Sequence, residues 1–215
     1  MVDSIWTQLG AARLVPVVVI DNPDDAPALG EALVAGGLPT AEITFRTKAA
    51  PQAIEKLAQR GDLIVGAGTV LTPQQVDVAV DAGAQYVVSP GLSRGVVERC
   101  QERGVLALPG AVTATEVQAA LELGLEAVKF FPAATSGGAA AIKALAAPFP
   151  NLSFVPTGGI SASNLAEYLA VPAIKAVGGS WMVPRALIQE RDTAAITELV
   201  TEAVQLVRDI DATRA

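Results

Sequence analysis

The chain has 215 residues, 51% of them apolar, 4% aromatic and 17% charged, with a net charge of −7 and a sequence pI near 4.6. That length suits one domain with a large core, and an acidic balance without a basic stripe argues against nucleic acid as a partner. There is no histidine, which excludes Ser-His-Asp triads, Cys-His pairs and His-rich metal sites and leaves acid–base work to Asp, Glu, Lys or Tyr.

The N-terminal MVDSIWTQLG lacks the charged, apolar and small-residue regions of a secretory leader. Beyond it, short β-branched or apolar runs alternate with longer amphipathic stretches. Strands are predicted at 13–20, 40–45, 62–68, 85–90, 105–110, 126–131, 152–158 and 173–179. Helices are predicted between them at 25–36, 49–60, 73–82, 93–103, 113–123, 138–147 and 161–170. A last helix, 192–209, sets Ile196, Leu199, Val200, Ala203, Val204 and Val207 on one stripe. No apolar run nears the ~20 residues needed to cross a bilayer, so no membrane partner is expected. Cys100 stands alone on a helix, which precludes an intramolecular disulfide and fits a reducing cytoplasm. Eight strand–helix repeats without a linker predict an α/β fold, a single (β/α)8 barrel over 1–215. A doubly wound sheet would also alternate, but no GxGxxG follows the first strand.

A barrel directs attention to the carboxyl ends of its strands. In the second strand Glu42, Thr44 and Arg46 share one parity, and Ala41, Ile43 and Phe45 the other. The apolar set suits the helix-covered outside, so the polar set is expected in the lumen. A barrel interior is usually branched aliphatic. A structural Glu–Arg pair is one explanation, though such pairs often fail to stabilise a core. A functional role is the other.

Lys129, inside AVKFFPA, is the second anomaly. Burying an ammonium is costly and favours the neutral amine, and a neighbouring Arg46 would push the same way. A neutral amine is what a Schiff-base nucleophile requires. Lys129 could instead snorkel out at the strand end. Lys175, in AIKAV, is out of parity with Ser180 and reads as outward or basal. Pattern alone leaves the choice between these two lysines balanced.

Paired glycines arrive late, in PTGGISASN (156–164) and VGGSW (177–181). They let backbone amides approach an anion, and a helix beginning near Ser161 would add its positive end. Barrels often bind phosphate after strands seven and eight, with Thr157 and Ser180 as further donors. Tight turns alone would also use such glycines.

At these residues the chain resembles the 2-keto-3-deoxy-6-phosphogluconate (KDPG) aldolases, a family that includes 4-hydroxy-2-oxoglutarate aldolases. The resemblance runs over essentially the whole length. GLPTAEITFR (37–46) and GLEAVKFFPAATSGG (124–138) carry it, supported by VGAGTVL (65–71), SPGL (89–92), PTGGI (156–160) and GGSW (178–181). It implies Lys129 as the Schiff-base lysine and Glu42 as general acid/base. It implies Arg46 and Thr69 on the substrate carboxylate, and Pro90, Phe131 and Thr157 lining the pocket. Gly158, Gly159, Gly179 and Ser180 would hold the phosphate of a phosphorylated keto acid. It also implies a homotrimer working without metal or other cofactor. The DNPDDAP loop after the first strand is less diagnostic. Two rival readings remain at this stage: a phosphate-sugar isomerase or epimerase with Glu42 as base and Lys129 only as a cation, and a catalytically silent scaffold.

Overall fold

Eight parallel strands form the centre of the molecule: β1 (Leu14–Val18), β2 (Thr40–Thr44), β3 (Ile64–Gly68), β4 (Tyr86–Val88), β5 (Leu106–Leu108), β6 (Ala127–Phe130), β7 (Ser153–Pro156) and β8 (Val177–Gly179). The computed structural model describes residues 2–213, with side chains from Ile5 onward. Met1, Arg214 and Ala215, which the predicted span 1–215 includes, lie outside the described residues. Six strands run in the order β5-β4-β3-β2-β1-β8, and β6 pairs with β7. Single bridges close the ring. Gly110 pairs with Lys129 between β5 and β6, and Thr157 pairs with Gly178 between β7 and β8. The result is a (β/α)8 barrel.

The helices wrap the outside. They are α2 (Ala26–Ala35), α3 (Ala50–Ala58), α4 (Pro73–Asp81), α5 (Arg94–Glu102), α6 (Ala114–Glu122), α7 (Gly138–Ala146), α8 (Leu165–Leu169), α9 (Arg185–Glu190) and α10 (Thr193–Ala212). Their apolar faces meet the outward strand residues Ala41, Ile43, Val65, Ala67 and Val87 in one continuous core. Cys100 belongs to that core, and burial pushes its thiol up to about 12. The stripe on α10 packs as expected, with Ile196, Val200, Ala203 and Val207 buried. Among the described residues, no helix is long and apolar enough to cross a membrane.

The lumen has its own core. Val15, Tyr86, Val88, Leu106, Leu108, Ala127, Val155 and Ala176 fill it, as the period of two requires. Its lower end is closed by a helix that strand patterning does not reveal, α1 (Val2–Ala12). Ile5 and Leu9, one helical turn apart, point into the barrel, and burial of Leu9 stabilises the plug by about 1.5–3 kcal/mol.

Most elements are trimmed at their ends, and two begin four residues later than expected. The helix expected over 161–170 is only Leu165–Leu169. Ser161 donates its amide to Asn164 Oδ1 at 2.9 Å, while Asn164 Nδ2 donates to Gly159 O at 3.0 Å. This side-chain turn competes with helix formation, so no helix end stands at Ser161. The eighth strand, expected over 173–179, begins at Val177; Ile174 makes only an isolated bridge to Phe154. Lys175 is exposed on this lower side.

Candidate active site

Two charges meet inside the mostly apolar lumen. Lys129 on β6 and Glu42 on β2 are 5% and 3% exposed. Lys129 Nζ donates to Glu42 Oε1 at 3.2 Å. Parity places Glu42 here as observed, but it also predicts the Arg46 guanidinium beside it. Arg46 stands two residues past the end of β2, outside the pleat, and is exposed. The charge facing Lys129 is therefore the Glu42 carboxylate, and Arg46 supplies no repulsion from within the lumen.

The position of Glu42 depends on what β3 omits. A Cβ on Gly68 would lie 2.2 Å from Glu42 Oε1 and 2.7 Å from its Cγ. One step lower, Gly66 leaves room for the ring of Tyr86, which a Cβ would meet at 2.2 Å. Tyr86 is fully buried, and desolvation, reinforced by the Glu42 charge, holds its phenol well above the ordinary tyrosine range. It stays protonated at neutral pH and forms the floor beneath the carboxylate.

Above the pair opens a cleft of about 380 Å³. Arg46, Phe131, Thr157, Gly158, Gly159, Gly179 and Ser180 line it, together with Arg185. Thr157 also borders the small space around Lys129 and Glu42, and so joins the cleft to the buried pair. Phe131 places its ring centroid 5.3 Å from Lys129 Nζ. Arg46 Nε donates to Thr69 Oγ1 at 3.3 Å; Thr69 holds a left-handed φ of 58°, which directs its hydroxyl to the rim. Pro90 lines neither space: its carbonyl backs onto Gly110 at the β4–β5 rim. Gly158 and Gly159 have φ of 98° and 76°. Successive amides turned this way form an anion-binding concavity. Trp181 packs against the backbone of Gly179 and shapes the neighbouring turn. A second cleft, about 330 Å³, lies at the lower ends of β5 and β6 against Trp6. That face of a barrel serves stability.

A guanidinium and paired glycine turns in a cleft above a buried lysine–carboxylate pair suit an acid with a ketone at one end and an anion at the other. The sequence profile of KDPG and KHG aldolases matches residues 5–199. The chain belongs to this family. It is similar to the 2-dehydro-3-deoxy-phosphogluconate aldolase of Treponema pallidum, 47% identical over 95% of this chain and 98% of that one. The KHG/KDPG aldolase of Escherichia coli is 42% identical over 92% and 93%. Among solved structures, the Legionella pneumophila KDPG aldolase, with pyruvate captured as a covalent carbinolamine, superposes with a TM-score of 0.87 at 41% identity, covering 92% of this chain and 98% of that one. As a KDPG and KHG aldolase, the protein is a carbon–carbon lyase.

Within this aldolase, Gly68→Ala is expected to lower kcat by about 10–100-fold with the fold retained, because the added methyl displaces the Glu42 carboxylate. Steady-state kinetics with a thermal melt checks it. A kcat within twofold of wild type would show that the carboxylate's seat on β3 is unimportant.

Proposed function

We propose that the protein is a class I aldolase that cleaves KDPG to pyruvate and glyceraldehyde 3-phosphate through a Schiff base on Lys129. It would also cleave 4-hydroxy-2-oxoglutarate to pyruvate and glyoxylate. The observation that carries the reading is the isolated Lys129–Glu42 contact of 3.2 Å beneath a cleft with an arginine and paired glycines.

In this scheme Glu42 is within reach to take a proton from Lys129, and the freed amine adds to the C2 ketone. Glu42 returns that proton to the carbinolamine hydroxyl, which leaves as water, so that a protonated imine and an ionised Glu42 remain. Glu42, directly or through a water, then removes the C4 hydroxyl proton. The C3–C4 electron pair flows toward the imine nitrogen, the aldehyde leaves, and a neutral enamine remains. The protonated Glu42 returns its proton to C3, and water hydrolyses the imine to pyruvate and free Lys129. Arg46, steadied by Thr69, pairs with the C1 carboxylate. Phe131 and Thr157 form the walls, Pro90 the outer rim. Gly158, Gly159, Gly179 and Ser180 receive the phosphate, whose remote binding holds the scissile bond in register.

Reduction with borohydride in the presence of pyruvate, followed by peptide mass spectrometry, tests the scheme. A reduced pyruvyl adduct on Lys129 is expected; an adduct elsewhere, or none on folded protein, refutes it. The resemblance further supports a single barrel domain over 1–215, a cytoplasmic place in the Entner-Doudoroff route, and a homotrimer. Light scattering that reads the mass of three 21.9 kDa chains checks the last of these.

A further inference from the structure

Two arginines line the cleft, and the scheme above uses one. Arg46 follows β2 and hydrogen-bonds Thr69, just past the end of β3. Arg185 opens α9, five residues after Ser180, and lines the cleft beside Gly158, Gly159, Gly179 and Ser180. It is held at the mouth by Asp21, in the loop after β1. Arg185 Nε donates to Asp21 Oδ2 at 2.6 Å and Nη2 to Oδ1 at 2.5 Å. Gln189 Nε2 donates to the same Oδ2 at 2.9 Å.

Backbone amides orient an anion but neutralise none of its charge, and a phosphate ester carries about −1.5 to −2 near pH 7. In a chain of net charge −7 that dianion needs a local cation. A guanidinium is permanently charged, and its planar fork matches two phosphate oxygens as well as it matches a carboxylate. The Arg185 side chain is 57% exposed and that of Asp21 33%, so water screens their pair and its exchange for another anion is easy. Hydrogen bonding from Arg185 holds the Asp21 carboxyl well below its ordinary range, so Asp21 is a charged competitor wherever the enzyme is assayed.

We propose that Arg185 determines specificity by exchanging Asp21 for the substrate's phosphate, with Asp21 as an internal competitor that limits the preference for phosphorylated over non-phosphorylated keto acids. The proposal rests on the class I aldolase reading and adds to it the side chain that neutralises the phosphate.

The two halves of the ion pair then have opposite effects, which a merely structural bridge would not. The test compares wild type, Arg185→Ala and Asp21→Asn for KM on KDPG and on 4-hydroxy-2-oxoglutarate, and for competitive inhibition by inorganic phosphate. For Arg185→Ala, the ratio of KM on KDPG to KM on 4-hydroxy-2-oxoglutarate is expected to rise roughly tenfold, the scale of one exposed charge-assisted pair, and phosphate to inhibit more weakly. For Asp21→Asn the same ratio is expected to fall by roughly threefold and phosphate to inhibit more strongly. Changes of the same sign in both variants, or an unchanged ratio in both, would overturn the proposal. Wild-type protein that fails to cleave KDPG overturns the aldolase reading itself, and is recognised before any variant is made.

Discussion

Lys129→Ala is expected to lower kcat for KDPG by on the order of 10⁵-fold or more, the scale seen when a catalytic nucleophile is removed. The pyruvyl adduct trapped by borohydride should vanish with it. Nothing else bordering that space can substitute, because its remaining groups are aliphatic side chains, the Glu42 carboxylate, a protonated phenol and the Thr157 hydroxyl, none of them an amine. Lys175 is exposed on the lower side and cannot reach the cleft. The fold should survive at reduced stability: Glu42 loses its buried partner, but the lost stem opens a space next to a void of only about 10 Å³, and the four strand-pairing positions of β6 are backbone contacts that alanine keeps. Circular dichroism and a cooperative melt, measured beside the kinetics, separate loss of chemistry from loss of structure. Turnover within tenfold of wild type would rule out the covalent mechanism and return Lys129 to a passive cation.

The barrel was readable because each strand is a β-branched or apolar run, most of them ended by glycine or proline, and the outer helices show a 3.6 period against them. What patterning missed lies where the chain departs from those periods. Arg46 kept the parity of Glu42 on paper, yet β2 ends at Thr44, and parity has no meaning two residues beyond a strand. The start of α8 was misplaced because Asn164 turns its side chain back onto Ser161 and Gly159, a contact that helix propensity does not see. The plug helix α1 carries its signal only in the Ile5–Leu9 spacing, a single apolar pair that strand–helix alternation does not mark. The family motifs led to the lysine, the carboxylate and the glycine turns. Arg185 could not be found that way. Its partner Asp21 is 164 residues distant, and only closure of β8 against β1 brings them together.

Glu42→Gln is expected to lower kcat by about 10²–10⁴-fold, the usual worth of a positioned acid–base group. It should also destabilise the fold, although glutamine is nearly isosteric. The reason is the company Glu42 keeps. Lys129 is 5% exposed, and the salt bridge to Glu42 is the one ionic contact its Nζ makes among the described residues. Removing one member of a buried pair leaves an uncompensated charge and costs about 3–5 kcal/mol, whereas replacing both with apolar groups is often neutral or stabilising. Glu42→Leu combined with Lys129→Met should therefore be more stable than either single replacement, and at least as stable as wild type. Denaturant unfolding of the four proteins completes a double-mutant cycle. Effects that add within about 0.5 kcal/mol would show that the two groups do not interact in solution. Strong coupling, together with an inactive but stabilised double variant, would mean that the pair opposes the stability of the barrel and is held in the lumen by the reaction it performs.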